Sequence, residues 1–334
     1  MTDVLRILIG VVPVFAFLSV LVFLDSYKLV SKQAVGTSIL GGAAAAALCL
    51  YVNASLLDLS GLNSTSYSRY IAPLVEETVK ALYLVVLLKR RRIGFTVDAA
   101  IHGFAVGAGF ALIENLYYLF HIEDSNYLVW IIRGFGTAAM HSTTVALVGI
   151  ISKSLMDRYL SERLHLIVPG LTAAIVVHSA FNHFVVSPVI TTLGLLVILP
   201  LLLLWVFDRS ERATRDWLGL GFDADQELLD ILTSGRIADS KIGRYLETLR
   251  SRFPGEVVVD MFCLLRIHTE LSLRAKGVLM LQQAGIKPPR DPETDEKFAE
   301  MRFLEKSIGP TGKLAILPFL YTNSREIWQL QKIR

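Results

Sequence analysis

Residues 99–120 read AAIHGFAVGAGFALIENLYYLF. These 22 residues hold one acid, Glu114, and neither lysine nor arginine. As a helix the stretch would rise about 33 Å, enough for the roughly 30 Å of hydrocarbon in a bilayer. Gly103, Gly107, Phe110 and Glu114 fall on one stripe by i, i+4, i+7, i+11 spacing. Small residues mark close helix–helix approach inside membranes. The stretch therefore predicts a membrane-crossing helix whose carboxylate turns into a bundle rather than toward lipid.

On either side of it, six more apolar blocks have the length of a crossing: about Leu5–Leu24, Ala34–Leu57, Tyr70–Leu88, Tyr127–Ile151, Leu166–Val186 and Val189–Phe207. The block Tyr70–Leu88 is short, with Pro73 expected in its first helical turn. The first block follows Asp3 and Arg6, is long for a leader, and ends at Asp25-Ser26-Tyr27-Lys28, so it reads as a retained span. These blocks raise the hydrophobic share to 53% and the mean hydropathy to +0.51.

Basic residues fix the expected polarity. Lys28 and Lys32, then Lys89-Arg90-Arg91-Arg92, then Lys153, Arg158 and Arg163, then Arg209, Arg212 and Arg215 all fall on one side if seven helices cross. The opposite side has the acidic loop His121-Ile122-Glu123-Asp124. The expectation is an N-terminus outside the cell membrane and a cytoplasmic C-terminus. A net charge of +3 is too small to suggest nucleic acid as a partner. Two cysteines, Cys49 in an apolar block and Cys263 in the polar tail, argue against a disulfide framework or a cysteine zinc site.

The fold class is thus all-α: a polytopic bundle of about seven transmembrane helices over residues 1–207, then a soluble helical domain over 208–334. In the tail Leu228, Leu229, Ile231, Leu232, Ile242, Tyr245, Leu246 and Leu249 recur at helical spacing, followed by helices at Val257–Leu281 and Asp291–Lys306. The tail carries no catalytic motif and is expected to meet a cytoplasmic protein partner, if it meets any.

Ionisable groups within a span are costly and point to function. They are Glu76, Glu77 and Lys80 in the third block, Glu114 in the fourth, His141 in the fifth, and His178 with Asn182 in the sixth; Arg133 lies near the outer end of the fifth. Gly134, Ala138, His141 and Val145 share a face by spacing, as do Gly170, Ala174, His178 and Asn182. A carboxylate that takes a proton from water, and a histidine or amide that stabilises an oxyanion, suit hydrolysis. Glu76, Glu114, His141 and His178 are also residue types that bind Zn2+. Each group alone has a structural reading: an ion pair for Glu76 or Glu77 with Lys80, a buried acid met by Arg133 for Glu114, a packing role for His141, and bonds to each other or to neighbouring carbonyls for His178 and Asn182. His102, His121, His165, His183 and His268 are expected to be structural or loop residues.

Four segments resemble the motifs of the PrsW family of intramembrane proteases. Glu76-Glu77-Thr78-Val79-Lys80 is similar to E-E-x-x-K, and Phe110 to Asn115 to F-x-x-x-E-N. His141 after Arg133-Gly134 resembles the third motif, and His178-Ser179-Ala180-Phe181-Asn182 the fourth, H-x-x-x-N. The resemblance covers roughly Tyr70 to His183. The related CAAX prenyl endopeptidases and bacteriocin-processing proteins carry histidine where Glu114 stands, which favours the PrsW branch. The resemblance implies a peptidase cleaving a membrane-anchored protein, such as an anti-sigma factor, by metallo- or glutamate-type chemistry. In it Glu76 activates water, Glu77 and Lys80 shape its charge, Glu114 and His141 complete the site, and His178 and Asn182 bind the oxyanion or order the water. Phe110, Asn115 and Arg133 are supporting residues. A proton-coupled transporter or channel would use the same groups as a relay, but such proteins are commonly built from repeats and none is visible. An inactive scaffold acting through its tail is the third reading.

Overall fold

The computed structural model describes residues 2–121, 126–288, 291–320 and 324–334. The acidic loop expected after His121 lies outside the described residues. All regular structure among the described residues is helical, and the chain divides into two compact units, Met1–Glu211 and Arg212–Arg334.

The first unit holds α1 (Thr2–Leu24), α2 (Lys32–Ser60), α3 (Ser64–Lys89), α4 (Thr96–His121), the short α5 (Tyr127–Ile131), α6 (Ala138–Tyr159), α7 (Val168–Asn182) and most of the apolar part of α8 (Pro188–Thr233). A π-helical turn, Ile132–Thr137, joins α5 to α6. Six helical stretches are long and apolar enough to cross a membrane: Val4–Leu24, Lys32–Ser60, Thr96–His121, Tyr127–Tyr159, Leu164–Asn182 and Pro188–Thr233. The expected seventh, α3, is not among them, because Glu76, Glu77 and Lys80 put three ionisable residues in its otherwise apolar middle. Leucines such as Leu8, Leu40 and Leu201 face outward, as a lipid-solvated bundle requires.

The centre of the unit is α4, buried on all sides from Val97 to Ala111. The stripe expected on one face is therefore only part of its packing. Gly103 meets α6 so closely that a methyl group there would lie 2.6 Å from the Val145 carbonyl, and on another face Gly109 and Gly42 let α4 and α2 touch backbone to backbone.

Two differences from the sequence expectation bear on the site. Pro73 is not in the first turn of its helix. Asn63 accepts a hydrogen bond from the Ser66 amide at 2.8 Å and starts α3 at Ser64, so Pro73 sits inside the helix. In the fifth block, the π turn inserts an extra residue, which rotates the rest of the helix by about 100°. Gly134 accordingly packs on the Ile9 carbonyl of α1 and does not share the face of His141.

The second unit begins within α8, which runs past the expected end at Phe207 to Thr233, and adds α9 (Lys241–Leu249), α10 (Gly255–Gln283), α11 (Pro292–Ile316) and α12 (Ser324–Ile333). Leu232, Leu246 and Leu249 pack with Met261, Leu264, Leu271, Phe298 and Ile308 in one core. Gly309, at φ 67°, kinks α11 ahead of Pro310. Beside this core, Lys276 bonds Asp225 at 2.6 Å, Ser272 donates to Asp225 at 2.5 Å, and Gln329 donates to Ser272 at 2.8 Å. Glu326 lies 3.6 Å from Lys276.

Candidate active site

Glu76 and Glu77 lie one turn beyond Pro73. Proline has no N–H and crowds the carbonyl four residues back, here that of Arg69. Ser179 of α7 donates to that carbonyl at 2.6 Å, and Asn182, one turn further on, donates its amide to the neighbouring Ser68 carbonyl at 2.8 Å. The interruption in α3 is thus satisfied by α7, one face of which also presents His178. This changes the expected part of Asn182: its amide is committed to α3 backbone rather than turned to the carboxylates.

Five of the six expected site residues converge. Glu77 is fully buried, and its Oε1 accepts from Lys80 Nζ at 2.6 Å and from His178 Nδ1 at 2.7 Å. With Nδ1 donating, His178 presents the lone pair of Nε2, which faces Glu76 Oε2 at 3.9 Å. That gap is too long for a hydrogen bond and suits a water or ion between the two. Glu77 Oε2 is buried with no hydrogen-bond partner among the described residues.

Donor and acceptor roles fix His141 in the same way. Lys80 can only donate, so His141 Nδ1 accepts from it at 2.9 Å, and His141 Nε2–H donates to Glu114 Oε2 at 3.0 Å. Arg133 Nη2 approaches the same Glu114 oxygen at 3.4 Å. The π turn brings Arg133 here, and Asn115 holds it, accepting from its Nε at 2.9 Å while donating to the Gly10 carbonyl at 2.7 Å. Phe110 lies under Lys80, with Nζ 4.2 Å from the ring centroid, and 5.0 Å from the His141 ring. The His141 and His178 rings meet edge to face at 4.9 Å. The supporting residues Lys80, Phe110, Asn115 and Arg133 therefore all reach the cluster or the group that braces it.

One contributor has no place in the four sequence motifs. Asn53 of α2 donates to Glu76 Oε1 at 3.0 Å, and Tyr67 donates to Asn53 Oδ1 at 3.0 Å. A signal for it exists: Gly42, Ala46, Cys49 and Asn53 repeat the i, i+4, i+7, i+11 spacing of Gly103 to Glu114. The remaining histidines lie elsewhere. His102 bonds Ser38 at 2.8 Å, His121 bonds the Tyr117 carbonyl at 2.7 Å, and His183 bonds the Ser179 carbonyl at 2.7 Å.

Glu76, His141 and His178 each offer one ligand atom, all within 4.8 Å of one another. Two imidazoles and a carboxylate form a donor set suited to catalytic zinc, and the residues fit such an ion, with His141 joining through the Nδ1 lone pair that release of Lys80 frees. Glu114 is not part of this group; its Oε2 accepts from His141 and lies 3.4 Å from Arg133.

A family model described as PrsW family intramembrane metalloprotease matches residues 31–205, over half of the chain. No curated protein and no solved structure matches the chain.

Proposed function

The chain belongs to the PrsW family of intramembrane metalloproteases, a peptidase family acting on substrates within the bilayer, and from that premise we propose that it hydrolyses a peptide bond of a membrane-anchored protein at the Glu76–Glu77–His141–His178 cluster. The observation that carries this reading is the 3.9 Å gap between Glu76 Oε2 and His178 Nε2, with the other polar atom of each already bonded, Glu76 Oε1 to Asn53 and His178 Nδ1 to Glu77. Glu77 and Lys80 hold the His178 tautomer. Glu114, braced by Arg133, holds His141. The proton released by the attacking water would pass to a carboxylate: to Glu76 Oε2 where water alone lies in the gap, or to Glu77 Oε2, which has no partner among the described residues, where Glu76 holds a metal. A zinc ion held by Glu76, His141 and His178 would supply Lewis acidity, lowering the pKa of its water and polarising the scissile carbonyl. Ser179 and Asn182 keep α3 and α7 in register.

On this reading α3 is a seventh crossing. Its 26 residues span about 39 Å as a helix, and its charges face the bundle. Seven crossings put all four basic segments on the cytoplasmic side, the N-terminus outside, and residues 208–334 in the cytoplasm as a soluble helical domain able to bind a protein partner. A membrane-anchored regulator of the anti-sigma type is the substrate class the family suggests.

The test compares new N-termini in membrane proteins from cells producing the wild type, Glu76→Gln or His178→Ala. Peptides unique to the wild type, with all three proteins folded and equally abundant, support the assignment. Identical peptide sets in all three overturn it. Chelation of the purified wild type should also stop cleavage, and Zn2+ should restore it.

A further inference from the structure

A carboxylate that must present one oxygen to a metal or water needs its other oxygen held, because free rotation would exchange the two and spread the ligand over several positions. Glu76 is held from outside its own helix. Asn53 reaches it from α2, and Tyr67 reaches Asn53 from the first turn of α3, nine residues before Glu76. The amide orientation follows from chemistry: a carboxylate only accepts, so Asn53 must face Glu76 Oε1 with its NH2, which leaves Asn53 Oδ1 to accept from the Tyr67 hydroxyl. Tyr67 is 4% exposed, so its phenol is packed in place. The two bonds form a line, Tyr67 to Asn53 to Glu76, which ends on Oε1 and not on the Oε2 that lies 3.9 Å from His178.

We propose that Asn53, oriented by Tyr67, is a positioning residue that pins Glu76 Oε1 and so reserves Oε2 for the zinc-binding group with His178 and His141. This rests on the reading of Glu76 as a metal ligand. It assigns work to two residues outside the motif set, and it makes α2, which supplies no ligand itself, part of the metal site. Outer partners of this kind cost about 10–100-fold in metal affinity when removed.

The experiment measures Zn2+ affinity of the full chain in detergent by competition with a chromophoric chelator, with Co2+ absorption as a report on ligand geometry. Thermal melts check folding. Asn53→Ala should weaken Zn2+ by about 10–100-fold and alter the Co2+ spectrum. Tyr67→Phe, which removes one oxygen, should weaken it less. The double variant should match Asn53→Ala alone, since Tyr67 acts only through Asn53; a packing role would give additive losses. If Asn53→Ala does not fold, Asn53→Ser and Tyr67→Phe carry the same cycle. Zn2+ affinity unchanged in the Asn53 variant but lost in Glu76→Gln overturns this inference alone, as does an additive cycle. Zn2+ affinity unchanged in Glu76→Gln overturns the ligand reading beneath it.

Discussion

Each unit of the chain buries a lysine against a carboxylate at 2.6 Å: Lys80 with Glu77 in the bundle, and Lys276 with Asp225 in the tail. By burial and distance the two pairs are alike. They differ in what surrounds them. In the tail, Ser272, Glu326 and Gln329 close on the pair and on one another, and no imidazole bonds it among the described residues. In the bundle the pair is bonded to two imidazoles, and its bonds fix a tautomer that leaves His178 Nε2 and Glu76 Oε2 facing each other at 3.9 Å. A buried ion pair is thus weak evidence of chemistry. Two imidazoles and a second carboxylate gathered about such a pair are stronger evidence.

Activity should separate the two clusters most widely. Glu76→Gln or His178→Ala should lower cleavage per folded molecule by about 10²–10⁴-fold, whereas Lys276→Met should leave turnover per folded molecule unchanged. Loss of turnover in folded Lys276→Met protein would erase the distinction. Second in size is stability, where the pairs should behave alike: Lys80→Met and Lys276→Met each strand a buried carboxylate and should cost about 3–5 kcal/mol, read from denaturant unfolding of the full chain. Replacing Asp225 and Lys276 together by Leu and Met should recover most of that loss in the tail. Bracing matters less. Asn115→Ala frees Arg133 and the Gly10 carbonyl, and should cost about 1–3 kcal/mol while reducing cleavage by less than Glu76→Gln does.

The slightest change is a pH dependence confined to the tail. Burial holds His268 below its ordinary 6.5. The unfolded chain therefore takes up that proton first, so the contribution is complete above pH 6.5 and is lost as the pH falls through the lower folded-state value. Burial raises Glu326, which works the opposite way, its contribution being present at acid pH and fading as the pH rises through the folded-state value. His268→Phe should flatten the acid side of a stability–pH curve for the tail and leave the Glu326 slope in place. An unchanged acid slope would show that His268 does not set it.

The helices and the members of the site are largely legible in the sequence, because depth in a membrane leaves long apolar runs and because Glu114 sits on a stripe with Gly103 and Gly107. The illegible parts depend on non-local or backbone detail. The π turn has no simple period, so spacing alone puts Gly134 on the wrong face. Asn182 shares a ladder with His178, but spacing cannot show that the Ser68 carbonyl of another helix lies within reach of its amide. Asn53 lies on a stripe of the same form as Glu114, but an uncharged amide costs far less to bury than a carboxylate and so draws less notice. The tail core is readable from Leu232, Leu246 and Leu249. The ion-pair cluster beside it is not, because its members come from three distant segments.

If α3 is the seventh crossing proposed above, its polar middle also bears on how the protein is made. On scales of insertion from the translocation channel, each charged residue at a helix centre costs about 2.5–3.5 kcal/mol, and α3 carries Glu76, Glu77 and Lys80 within five residues. Such a segment would not partition into lipid by itself as it leaves the ribosome. Its entry would wait for a neighbour that shields those charges, and the apolar α4 comes after a short turn anchored by Lys89 to Arg92. The helix that bears the paired glutamates would then be the last of its group to take up its place, assembled into the membrane by its companions rather than delivered there alone. A nascent chain stopped before α4 should leave α3 outside the bilayer in a glycosylation-mapping assay; integration of that truncated chain would show that α3 needs no such help.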